Sequence, residues 1–135
     1  MNFTYGNIKK DYERLKNALE ATHKKVKCND WEPIDLMNGI YQGNFGFVKS
    51  TLNDSDIGVF YVQNLPFSTE KQLWIYVAYS VSGEAFELYL DDWKELAKQC
   101  GCSSIGWNSS RLGYLRSLKR LDNTDIHRIE YRINL

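Results

Sequence analysis

The run Leu73-Trp74-Ile75-Tyr76-Val77-Ala78 constrains this chain most. A near-continuous apolar run of β-branched and aromatic residues reads as a strand buried on both faces, which needs cover above and below. The next segment supplies a helix. Ser82 is placed to cap it, and it runs from Glu84 to Cys100, with Phe86, Tyr89, Leu90, Trp93, Leu96, Ala97 and Cys100 in one apolar stripe. Gly101 suits the left-handed position that ends a helix. Ser103 to Trp107 then reads as a strand, Ser110 to Leu121 as a helix, and Ile126 to Leu135 as a terminal strand centred on His127 to Asn134. Strand, helix, strand in this order is a parallel β-α-β unit.

Upstream, a helix is expected after Thr4 as N-cap, with Ile8, Tyr12, Leu15 and Leu19 on one face. Lys24, Lys25 and Lys27 suit its C-terminal end. Pro33 opens a short second helix through Met37, with Gly39 as its stop. Tyr41 to Ser50 alternates around Phe45 and Phe47 as a strand, Asn53 to Asp56 is a turn, Ile57 to Gln63 a strand, and Leu65 to Glu70 a loop. The predicted order is α-α-β-β-β-α-β-α-β. That is an α/β fold, a mixed sheet in which an antiparallel meander feeds a parallel β-α-β unit, with helices on the sheet faces. The 135 residues carry no linker, repeat or low-complexity tract, so residues 1–135 are expected to form one domain with a core of its own.

Charge narrows the partners. Seventeen basic residues balance seventeen acidic ones, which disfavours nonspecific nucleic-acid binding. Arg111, Arg116, Lys119 and Arg120 read as a solvated helix face rather than a phosphate-binding patch. Three cysteines, Cys28, Cys100 and Cys102, and no signal peptide point to a reducing cytoplasm. Cys100-x-Cys102 is too close for a zinc knuckle, and His23 and His127 complete no ligand set, so no metal is expected. No run is long and apolar enough to span a bilayer.

The order of elements resembles the acetyl-CoA-dependent N-acetyltransferase (GNAT) fold. The spacing of Trp93, Ala97, Gly101 and Cys102, followed by Arg111, Gly113, Tyr114, Arg116 and Leu118, resembles small GNAT-like proteins encoded by tailed bacteriophages. The Gly39 to Phe47 and Leu73 to Tyr79 segments sit where that group places them. The resemblance covers residues 30 to 135. It implies a fold and a lineage, and some members of that group act in virion assembly or are packaged in the particle.

For a GNAT enzyme the resemblance also implies a site. CoA pyrophosphate would lie on backbone N–H groups after the central strand, where glycine allows close approach and a helix N-terminus favours an anion. Ser80-Val81-Ser82-Gly83-Glu84-Ala85 stands there, so Gly83 and Ala85 are the candidate cofactor contacts, and Ser80 replaces the usual Gln or Arg. Asn108 is the expected second cofactor contact. Tyr114 is the candidate catalytic residue, a general acid for the leaving thiolate. Against these stand three features. No basic side chain lies between Gln72 and Asp91, Glu84, Glu87, Asp91 and Asp92 crowd the helix start, and Leu121-Asp122 stands where the family has Gly-Phe. No Glu, Asp or His in residues 72 to 81 offers a general base.

The sequence therefore leans away from catalysis, with no cofactor expected, or acetyl-CoA if the chain is an enzyme. The leading expectation is a non-catalytic GNAT-fold phage protein acting through protein contacts in the host cytoplasm or the virion. An acetyl-CoA-dependent N-acetyltransferase is the alternative, and an inhibitor of a host protein the second alternative. Tyr41, Phe45, Phe47, Phe60, Tyr61, Trp74, Tyr76 and Tyr79 exceed what one small sheet face hides, which points to a protein partner. Oligomeric state is left open.

Overall fold

The strand segments, rich in β-branched and aromatic residues, build one mixed sheet of five strands in the order β1-β2-β3-β4-β5. The computed structural model of the chain describes residues 1–26, 30–83, 85–108, 124–126 and 131–135. Its elements are β1 (Phe3–Tyr5), α1 (Tyr12–Lys25), α2 (Pro33–Tyr41), β2 (Gly46–Ser50), β3 (Ile57–Asn64), β4 (Lys71–Tyr79), α3 (Ala85–Leu88), α4 (Leu90–Gln99) and β5 (Ser104–Trp107). The first four strands are antiparallel neighbours, and β4 pairs with β5 in parallel. The predicted meander and parallel unit are both present. The predicted helix at 110–121 lies outside the described residues. So does the 127–130 part of the terminal strand, and residues 131–135 are not in a strand.

The sheet separates two cores. On one side α3 and α4 bring Phe86, Tyr89, Trp93, Leu96 and Ala97 onto Phe3, Val48, Phe60, Leu73 and Ile75. On the other, α1 and α2 bring Leu15, Leu19, Leu36, Met37 and Ile40 onto Phe47, Ile57, Val59 and Val77. Each of these side chains contributes about 1.5–3 kcal/mol on burial, so the two layers hold the sheet from both faces. Among the described residues no helix is long and apolar enough to cross a membrane.

A bulge in β4 explains the unbroken apolar run. Val59 faces Val77 while Phe60 faces Ile75, so Tyr76 is an extra residue with no partner on β3. Leu73 and Ile75 point toward α4, whereas Tyr76 and Val77 both point toward α1 and α2. A one-residue insertion flips the face of everything after it. The strand thus needs apolar residues without alternation.

Four boundaries differ from expectation. Thr4 does not cap a helix; it lies in β1, opposite Lys49. Phe3-Thr4-Tyr5 is a strand because it pairs with β2 and buries Phe3 against Tyr89 and Trp93, with Tyr5 on the same face, exposed at the rim beside Cys100. The helix starts instead at Tyr12, after a turn in which Asn7 Oδ1 accepts the Lys9 and Lys10 N–H groups. Gly39 does not stop α2, because Ile40 beyond it is buried. Gly43, at φ +83°, does, with Gly43 N–H donating to Ile40 O and Asn44 N–H to Gly39 O. Tyr41 consequently belongs to α2, and β2 is shorter than predicted. Gly101, at φ +72°, ends α4 by the same pattern, as expected. Finally, the helix predicted over residues 84 to 100 is broken at Tyr89, which sits at φ −110°, ψ 18°.

Candidate functional site

In an open α/β sheet, ligands bind beyond the carboxyl ends of parallel strands, where two neighbours part. Here β4 and β5 pair from Gln72–Ser104 to Ile75–Trp107. The bulge residue Tyr76 comes next on β4 and Asn108 next on β5, so the ladder stops where the bulge begins. Asn108 is exposed at that parting. Beyond Tyr79 the chain turns through Ser80–Gly83 into α3, which carries Ala85 at its start. The structure thus places Gly83, Ala85 and Asn108 at one end of the sheet, at the ends of adjacent parallel strands. Tyr114 lies outside the described residues, as do Arg111, Arg116, Lys119, Arg120 and Glu84.

The turn itself is held from below by a carboxylate that the sequence reading assigned only to a turn. Asp56 is 2 % exposed. Its Oδ1 accepts the Val81 N–H at 3.1 Å, and its Oδ2 accepts the Ser80 hydroxyl at 3.3 Å and the Tyr89 hydroxyl. Tyr89 Oη is also 2.7 Å from Ser50 Oγ, which in turn accepts the Leu52 and Asn53 N–H groups. Burial, and after it the hydrogen bond to Asp56, push the Tyr89 phenol above its ordinary pKa. The phenol therefore stays a donor to the carboxylate. Because Tyr89 is pinned in this way, the helix breaks there.

This network occupies three backbone donors of the turn. Val81 N–H goes to Asp56, Ser82 N–H to Ser80 Oγ at 3.3 Å, and Gly83 N–H to Ser80 O at 3.0 Å. Gly83 adopts φ +78°, with open space where a Cβ would stand. Ala85 is 8 % exposed and packs beside Phe3, Tyr79 and Trp93 around a void of about 10 Å³, too small for a ligand group. The turn therefore fits CoA pyrophosphate poorly, since its Val81, Ser82 and Gly83 N–H groups already have acceptors and no cation stands beside it in sequence.

The acidic crowding expected at the helix start also needs correction. Asp92 does not face the turn. It is 6 % exposed and accepts the backbone N–H of Asn2 at 2.6 Å, so it anchors β1. Glu87 and Asp91 remain exposed. Among the described residues the carboxylate bonded to the turn is Asp56, directly before Ile57 at the head of β3, and nothing in its Asn-Asp-Ser-Asp context marks it as buried. Among the described residues no group of three or more His, Cys, Asp or Glu could hold a metal ion.

Of the eight aromatic residues proposed as surplus, Phe47 and Phe60 are buried core. Phe45, Tyr61 and Tyr76 are half-buried and touch edge to face, with centroids 5.4 Å apart in both contacts. Trp74 and Tyr79 are half-buried, and Tyr41 is exposed.

A five-stranded mixed sheet with a β4 bulge, a parallel β4–β5 pair and helices on both faces is the fold of the GNAT acetyltransferases, and solved structures of such proteins superpose on the chain. A ribosomal-protein-alanine N-acetyltransferase from Brucella melitensis biovar Abortus 2308 matches with a TM-score of 0.73 at 11% identity, over 98% of this chain and 97% of that one. An aminoglycoside acetyltransferase from an uncultured soil metagenomic sample, solved with trehalose, matches at 0.69 and 12% identity, over 98% and 95%. A Trypanosoma brucei acetyltransferase matches at 0.66 and 10% identity, over 98% of both chains. At such identities the likeness is one of fold alone. No protein-family model and no curated protein matches the sequence.

Proposed function

We propose that this chain uses the acetyltransferase fold as a scaffold for protein contacts rather than for acetyl transfer. The observation that carries this reading is the closed Ser80–Gly83 turn. Its Val81, Ser82 and Gly83 N–H groups are bonded to Asp56 and Ser80. Binding a pyrophosphate through them requires breaking those bonds, and each broken bond leaves a partly buried acceptor unsatisfied, at about 1–3 kcal/mol. The motif from Trp93 to Leu118 supports a phage lineage, and with it a virion or host protein as partner. Peptide mass spectrometry of purified particles tests the virion form of the proposal, and recovery of the chain only from host cytoplasm favours a host target.

A second reading, acetyl-CoA-dependent N-acetylation, is favoured by one placement. Gly83 has open space above it, and Asn108 stands exposed where β4 and β5 part. Calorimetry with acetyl-CoA decides between the two. The scaffold reading expects no heat of binding at about 1 mM cofactor, weaker than about −4 kcal/mol. Micromolar binding that is lost in Gly83→Asp and Asn108→Ala variants overturns it in favour of the enzyme.

A further inference from the structure

We propose that Cys100 and Cys102 form a dithiol site that low-molecular-weight disulfides oxidise reversibly, closing a disulfide across Gly101. Both thiols are free and half-buried. They stand at the end of α4, where the Gly101 N–H donates to Lys98 O at 3.0 Å and the Cys102 N–H donates to Ala97 O at 2.9 Å. These two bonds are the Schellman closure of a helix, with Gly101 at φ +72° as its left-handed residue. A left-handed helical residue sets the Cα atoms on either side of it about 5.4 Å apart, as helix rise and radius give. Disulfides span Cα distances of about 4.4–6.8 Å, so the backbone already has the spacing that a bridge needs.

The side chains converge as well. Cys100 stands three residues after Ala97, so the two share a face of the helix end. In this closure the residue at the position of Cys102 turns back over the position of Ala97. Both cysteines accordingly pack against the core cluster that contains Leu96 and Ala97. Burial, and after it the neighbouring Cys100, push the Cys102 thiol above its ordinary pKa. On the solvent side, exposed Tyr5 reaches Cys100 and hydrogen-bonds to it. The pair therefore lies at the rim of the core, within reach of a small solute.

The exchange balances in two steps. One cysteine thiolate attacks a sulfur of the external disulfide, forming a mixed disulfide and releasing one small thiol. The other cysteine loses its proton and attacks the protein sulfur of the mixed disulfide. That attack forms the Cys100–Cys102 bond and releases the second small thiol. Two protein thiols are oxidised, and one external disulfide is reduced to two thiols. The bond closes a very short loop, so it constrains little of the unfolded chain and adds little stability. A half-exposed bond of that kind is readily reduced again, which suits a reversible site rather than a structural crosslink.

This inference stands whether or not acetyl-CoA binds. To test it, the full chain is equilibrated in a glutathione buffer rich in the oxidised form, quenched by alkylation, digested with trypsin and weighed by mass spectrometry. Cleavage after Lys98 and Arg111 leaves both cysteines in one peptide, 99–111, and Cys28 in another. In the wild type that peptide is expected to be two hydrogens lighter than its dithiol form, with neither alkyl label nor glutathione. Cys100→Ser and Cys102→Ser are each expected to stop at the mixed disulfide and carry one glutathione. In urea, where the turn is unmade, the ratio of bridged to mixed-disulfide peptide is expected to fall by about tenfold. A wild-type peptide that stays fully alkylated overturns the proposal, as does one that carries glutathione without a bridge, a disulfide to Cys28, or an undiminished ratio in urea.

Discussion

Asp56→Ala is expected to lower the free energy of unfolding by about 3 kcal/mol, a large loss for a single side chain. The carboxylate is buried and accepts three hydrogen bonds, from Val81 N–H, Ser80 Oγ and Tyr89 Oη. Truncation leaves those donors facing a void, and an unsatisfied buried donor costs about 1–3 kcal/mol. Tyr89 Oη keeps Ser50 as a neighbour and Ser80 Oγ keeps Ser82, so the three losses do not add in full. Asp56→Asn should lose less, about 1 kcal/mol, because the amide oxygen still serves Val81 while both hydroxyls can turn to accept from the amide nitrogen. Urea unfolding monitored by tryptophan fluorescence separates the two variants. A change below about 0.5 kcal/mol in Asp56→Ala, the size of an ordinary surface effect, would falsify the network as the support of the turn.

The network also bears on function through stiffness. A cofactor turn must leave its N–H groups free, whereas here Val81 N–H is held by buried Asp56 and the Ser82 and Gly83 N–H groups close onto Ser80. Removing Asp56 frees only the Val81 N–H, because Ser82 and Gly83 are bonded to Ser80. Asp56→Ala should therefore loosen the turn without creating acetyl-CoA affinity, which calorimetry on the variant checks.

How much of this was legible in the sequence depends on the kind of signal. The parallel β-α-β unit was legible because Gly101 ends a strongly amphipathic helix between two apolar segments, and each of those cues is local. The β4 bulge was not. Leu73 to Ala78 is apolar throughout, so a one-residue change of phase leaves no mark on the pattern. β1 was hidden for a different reason. Three residues are too few for a periodic signal, and Phe3 owes its strand conformation to Ser50, Lys49 and Val48 across the sheet and to Trp93 from α4. Tyr89 looked like one more apolar residue on a helical stripe. Its role as the break between α3 and α4 comes from Asp56 and Ser50, both more than thirty residues away. Gly83, Ala85 and Asn108 were singled out through the GNAT resemblance, but whether the turn's donors were free depended on a buried carboxylate that only tertiary structure reveals.

Trp93→Ala is expected to have the largest effect of any single truncation here, about 4 kcal/mol, within the usual range for a buried Trp or Phe. Trp93 is 1 % exposed and meets Phe3 at 4.9 Å and Phe60 at 6.4 Å between ring centroids, both near edge-to-face. It therefore ties α4 to both β1 and β3, and its loss opens a cavity under the sheet rather than at its rim. The indole ring also explains a glycine. A Cβ on Gly58 would fall on the far edge of the Trp93 ring, which is walled in and cannot move aside. Gly58→Ala should thus cost about 2 kcal/mol by overpacking, within the usual range for an extra core methyl. In the double variant the two losses should fall short of their sum, because truncating Trp93 removes the obstacle that Gly58→Ala meets. Trp93→Phe should be milder than Trp93→Ala by about 2 kcal/mol, since a ring still fills most of the space and the Trp93 indole N–H, buried without an acceptor among the described residues, is removed with it. Thermal and urea unfolding of the four variants test this ordering. Strict additivity of Gly58→Ala and Trp93→Ala would place the clash elsewhere and remove the reason for glycine at position 58.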